Sequence, residues 1–86
     1  MDMRRFIGRV VEVETRGGVP AAVLWGERHT VVELLAEVDR PDLRSDWRLR
    51  RHHRRLLVRT DTGLLMELHQ ERRQGRWTLY AVDDQG

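Results

Sequence analysis

Residues 48–60, RLRRHHRRLLVRT, hold six arginines, two histidines and no acid. A guanidinium is planar, stays charged at any physiological pH and presents a fork of N–H donors that matches phosphate oxygens. Arg48, Arg50, Arg51, Arg54, Arg55 and Arg59 are therefore the candidate nucleic-acid contacts, and Trp47 beside them offers a surface on which a base can stack. In an extended chain alternate side chains face opposite ways, so Arg55 and Arg59 share a face with Leu57 while Arg54 points away. The arginines from 48 to 51 sit in a polar loop and can turn to either side. Engaging about five phosphates predicts a salt slope near −4.5 on duplex DNA or about −3.5 on a single strand. The competing reading pairs these arginines with the acids at 37–46; such exposed pairs are worth under about 1 kcal/mol each, yet they blunt the local field. An acidic protein surface is a third use of the same patch.

Other chemistry is sparse. His52 and His53 are adjacent, so in a strand they cannot ligate one metal together. Glu67, His69 and Glu71 alternate at a spacing a metal could use, but a solvated strand face explains them equally, and there is no cysteine to add a soft ligand. No metal or cofactor is expected. Without lysine there is neither a phosphate-loop lysine nor a Schiff base. The only serine, Ser45, lacks a glycine elbow, and Asp83 with Asp84 reads as solubilising charge near a chain end. The chain therefore reads as non-enzymatic. Trp25, Trp77 and Tyr80 could form a stacking platform, although core or cross-strand packing is the plainer use of aromatics in a small β fold.

The charge is lopsided. Residues 1–27 carry four arginines against four acids, 28–47 three against five, 48–60 six against none, and 61–86 three against five, for a total of +2. The excess positive charge is thus confined to one window, and the pI of about 10.3 mostly reflects the use of arginine for every basic residue. Eighty-six residues form one domain spanning 1–86, with an arginine-rich loop and strand entry at 40–55. A domain this small buries only about 60% of its unfolded surface, so a partner or a second copy of the chain could supply missing burial. No apolar run approaches the roughly 20 residues that span a bilayer. The expected location is the cytoplasm, with no membrane association.

The elements that must position these residues are strands. "FIGRVVEVET" at 6–15 alternates at its centre, and "RGG" at 16–18 ends it. "AAVLWGERHTV" reads as a hairpin turning at Gly26 and Glu27, with Trp25 and Arg28 flanking. Residues 30–38, "TVVELLAEV", fit two templates: a helix capped by Thr30 and Glu33, or a strand, bulged, with Val32, Leu34, Ala36 and Val38 inward. The strand is preferred, and a short helix at 30–39 stays open. Residues 39–47 carry Pro41 and read as a loop. Three more strands follow, with Leu56, Val58 and Thr60, then Leu64, Met66 and Leu68, then Trp77, Leu79 and Ala81 each on one face. The expected fold is mainly β: a small antiparallel sheet of five to six strands, curved or closing into a partial barrel.

Several landmarks then line up: Pro20, "LWGERHTV" at 24–31, "LL" at 34–35, "VRTDTG" at 58–63, "MEL" at 66–68 and "GRWTLYAVDD" at 75–84. In these the chain resembles, over residues 20–84, a family of small uncharacterised bacterial proteins whose genes commonly lie beside those of Y-family polymerase-like mutagenesis proteins. Val38, Arg55 and Leu56 stand where that family carries larger rings. The resemblance implies a fold and a gene neighbourhood, and so a role in DNA damage tolerance; it implies no catalytic residue. The combined expectation is an accessory or adaptor module that binds DNA or RNA non-specifically through the arginine-rich loop, with a polymerase-like mutagenesis protein as candidate partner. The alternative is a protein-interaction or homodimerisation module that uses a sheet edge, or Leu57 and Leu65, without nucleic acid.

Overall fold

Alternating residues, with a glycine in four of the five connections, produce six strands: β1 (Arg5–Arg16), β2 (Val19–Trp25), β3 (Glu27–Pro41), β4 (His52–Thr60), β5 (Leu64–Glu71) and β6 (Arg76–Asp84). The computed structural model describes residues 4–41, 52–71 and 75–84. Each strand pairs antiparallel with its neighbours in sequence, and β1 also pairs with β6, so the expected curved sheet closes into a barrel. Gly17 and Gly18 make the β1–β2 reversal with φ of 60° and 79°, a backbone region that favours residues without a Cβ. The β2–β3 reversal centres on Gly26 alone: Trp25 lies opposite Glu27 and Leu24 opposite Arg28, one residue tighter than the hairpin expected from the sequence.

The barrel interior is filled by Val23, Leu56, Val58, Met66, Leu68, Trp77, Leu79 and Val82, with Ile7, Val11, Val13, Trp25, Val31 and Leu64 packed around them. Leu56 and Val58, Met66 and Leu68, and Trp77 and Leu79 are inward as expected for β4, β5 and β6, because a strand that covers a core on one face must alternate; Val82 joins them beside the buried Ala81, outside that alternation. Burying each large side chain contributes about 1.5–3 kcal/mol. Trp77 belongs to this core, whereas Tyr80, three residues on, faces out.

Residues 30–39 are strand throughout, not helix. A helix there would have packed one apolar face; instead β4 supplies a ladder that runs from Val31 opposite Thr60 to Pro41 opposite His52. The ladder is broken twice. Val31 and Glu33 face Thr60 and Arg59, so Val32 is an extra residue; Leu34 and Ala36 face Val58 and Leu57, so Leu35 is another. Each bulge reverses the sidedness of the residues after it. The simple alternation with Val32, Leu34, Ala36 and Val38 inward therefore fails: Glu37 lies opposite the buried Leu56, and Val38 opposite the exposed Arg55. Beyond Thr30, β3 has parted from β2, and its second edge has no strand beside it among the described residues.

Two of the sequence landmarks meet at one end of the barrel. Asp61 donates its backbone N–H to the Thr30 carbonyl at 2.8 Å and accepts the Thr30 N–H on its carboxylate at 3.0 Å. His29, 4% exposed, lies within reach of the Trp25 carbonyl oxygen through Nε2 at 3.1 Å and of the Thr62 hydroxyl through Nδ1 at 2.8 Å. A carbonyl only accepts, so Nε2 carries the proton, and in the neutral ring Nδ1 accepts from Thr62. The Thr62 oxygen is then free to accept from Thr60, 2.8 Å away, which in turn accepts the Leu64 N–H at 3.3 Å. The "RHT" and "TDTG" stretches are thus mutual structural clamps. His29→Leu keeps the volume but strands the Trp25 carbonyl; chemical denaturation should show a loss of about 1–3 kcal/mol.

Candidate nucleic-acid-binding face

The alternation of β4 sorts its arginines. Leu56, Val58 and Thr60 are buried, so Arg55, Leu57 and Arg59 project outward. Arg54 has the inward parity at the barrel end. Its side chain is only 14% exposed; Nε pairs with Glu37, and Nη1 donates to the Gly18 carbonyl at 2.6 Å. Arg54 thereby ties the β1–β2 turn to β3 and β4 at the end where β2 and β3 have separated. A guanidinium held this way is occupied by its own fold. Arg59 is outward but donates through Nη1 to Glu33, its cross-strand neighbour, at 2.8 Å. Glu37 falls within the acids at 37–46 that the sequence suggested, whereas Glu33 lies before them; the β3–β4 register decides which carboxylates lie within reach. Arg55 is exposed and forms no ion pair among the described residues. Trp47, Arg48, Arg50 and Arg51 lie outside the described residues. The backbones of His52 and His53 pair with Pro41 and Arg40.

Arg55 lies opposite His69 of β5. The His69 ring stacks on Tyr80 of β6, with centroids 4.4 Å apart and an interplanar angle of 12°. Phe6 of β1 meets Tyr80 edge to face at 5.0 Å and 84°. A row of Phe6, Tyr80, His69 and Arg55 thus crosses four strands on the outside of the barrel. Two bulges create it. Glu67 and Leu68 of β5 face Ala81 and Leu79, leaving Tyr80 as an extra residue; on the other side, Phe6 and Arg9 face the same two residues, with Ile7 and Gly8 between. Gly8 has φ of 66°, and a Cβ there would come within 2.8 Å of Phe6 Cζ, so the ring lies across its own backbone. Phe6 is 70% exposed and Tyr80 37%. Glu67 orients the row from one side, taking a hydrogen bond from His69 Nε2 at 2.6 Å and pairing with Arg4.

No protein-family model, no curated protein and no solved structure matches this chain. Its chemistry is therefore read from the residues themselves. Glu67 and His69 bond to each other, and no group of three potential metal ligands converges among the described residues. No helix there is long and apolar enough to cross a membrane. Leu57 and Leu65 line a shallow depression of about 130 Å³ together with Arg4, Glu67 and Ala81. The row itself was not legible in the sequence. Phe6 and His69 carry no sequence signal of proximity, and Tyr80 reads with the tryptophans as core or cross-strand packing. The one usable hint was Gly8 inside an otherwise regular strand, since an interior glycine marks a bulge or a close approach.

Proposed function

We propose that this protein is a non-enzymatic accessory module that binds nucleic acid without sequence preference, acting in the cytoplasm beside a polymerase-like mutagenesis protein in DNA damage tolerance. The observation that carries the reading is the confinement of surplus positive charge to residues 48–60, with Arg55 presented unpaired on the outer face of β4. The pathway rests on the motif resemblance at 20–84. Arg54 drops out as a contact because its guanidinium is committed to Glu37 and Gly18. Arg59 contributes weakly, since an exposed pair with Glu33 competes for it. Arg48, Arg50, Arg51 and Arg55 remain. Four phosphate contacts give a salt slope near −3 on a single strand, hence about a fiftyfold loss of affinity between 50 and 200 mM salt. Fluorescence anisotropy on a labelled oligonucleotide measures this directly. Arg48→Glu, Arg50→Glu and Arg51→Glu together should abolish binding; undiminished binding would falsify their placement at the interface.

A second reading has its own observation. The edge of β3 beyond Thr30, which has no strand beside it among the described residues, carries Val32, Leu34, Leu35 and Val38 at 59%, 39%, 39% and 42% exposure. An open, apolar strand edge can accept a strand from a partner or a second copy. The bulges at Val32 and Leu35 oppose regular pairing, which is why this reading stands second. It predicts a complex or a concentration-dependent dimer that survives salt, seen by gel filtration with light scattering.

A further inference from the structure

Phosphate contacts alone do not distinguish a duplex from a single strand; unpaired bases need an exposed π surface. We infer that the Phe6–Tyr80–His69 row is a base-stacking platform, so that the class of ligand is single-stranded nucleic acid; this rests on the nucleic-acid reading above and specifies it. Three observations support the assignment. Phe6, 70% exposed, lies folded over Gly8, and its ring meets Tyr80 at 84°. The two rings therefore form an open corner: Phe6 is the floor and Tyr80 the wall. His69 backs the wall, stacked on Tyr80 and held by Glu67, so Tyr80 stays in place when a base presses on it. Cations border the row at both ends. Arg55 closes it on β4, and Arg5 and Arg9, either side of Phe6 in β1, are exposed and form no ion pair among the described residues. A strand whose base stacks on Phe6 can thus place flanking phosphates near guanidinium groups. A ring serving only to cover Gly8 would have no need of such exposure or of a cationic border.

The test compares a single-stranded DNA, a single-stranded RNA of the same sequence and the corresponding DNA duplex, by anisotropy at one salt concentration and then across a salt series. The full chain should bind the single strands more tightly than the duplex, and the DNA and RNA arms identify which strand is preferred. Phe6→Leu and Tyr80→Leu keep apolar bulk but remove the π face. Each should weaken single-strand binding about tenfold, leave duplex binding unchanged, and leave the salt slope as it was. Phe6→Trp enlarges the ring and should restore or tighten binding, which a purely structural role for Phe6 would not do; it also serves if Phe6→Leu does not fold, which circular dichroism reports. Equal losses on single strand and duplex, or no loss in either ring variant, would overturn the platform while leaving non-specific binding intact. Failure of the unaltered chain to bind any of the three nucleic acids would overturn the nucleic-acid reading itself, and the platform with it.

Discussion

Leu68→Ala should lower the midpoint of thermal unfolding by roughly 8–40 °C. Leu68 is fully buried and stands between Leu56 of β4 and Leu79 of β6, its two cross-strand partners, which are themselves fully buried. Truncation removes the transfer energy of the lost methyl groups and leaves a cavity. In a barrel the walls are held by hydrogen-bonded ladders on both sides and collapse little, so the loss falls in the range of about 2–5 kcal/mol. A domain of this length has a total stability of about 4–13 kcal/mol, so the variant sits near the edge of folding. Each kcal/mol moves the midpoint by about 4–8 °C at this size. Leu68→Met, which conserves volume, should lose under about 1.5 kcal/mol and acts as the control. A shift of only one or two degrees in the alanine variant would mean that β4, β5 and β6 do not pack as described.

Adjacent arginines should give opposite phenotypes. Arg54→Ala leaves the Glu37 carboxylate and the Gly18 carbonyl without their donor at the barrel end, and should lower stability by about 1–2 kcal/mol, a figure reduced for the partial exposure of Glu37. Its folded form should bind nucleic acid as the unaltered protein does. Arg55→Ala touches nothing that holds the fold and should stay within about 0.5 kcal/mol of it. Its effect belongs to binding: the salt slope on a single strand should become shallower by about 0.7. Denaturant melts and anisotropy titrations on the two variants read both axes. If Arg54→Ala flattened the salt slope and Arg55→Ala did not, the inside and outside of β4 would be exchanged.

The same pair shows how far the residues alone lead. Period-two alternation in "RRLLVRT" separates Arg54 from Arg55 without any structure, because successive side chains of a strand must point apart. The same rule yields Met66 and Leu68, and Trp77 and Leu79, as core, and the turn glycines mark most of the reversals. What alternation could not supply was the destination of each side chain. That Arg54 ends on Gly18, thirty-six positions away, follows from β2 and β3 separating at Thr30. That Glu37 meets Arg54 and Glu33 meets Arg59 follows from register.

β3 and the aromatic row mark the boundary most clearly. Composition and spacing at 30–38 suit helix and strand alike, and only the ladder offered by β4 settles the matter, at the expense of two bulges that no local rule announces. Phe6, Tyr80, His69 and Arg55 come from four strands far apart in sequence, and they stand abreast only because paired bulges at Gly8 and Tyr80 bring them level. The sequence by itself determined the strands other than β3, most of the inward faces in β4 to β6 and the position of the surplus charge, since these depend on neighbours along the chain. The tertiary structure decided the closure, the sidedness of β3, which arginines are free and which rings share a surface, since these depend on register between strands, and register is set by how the whole sheet closes on its core.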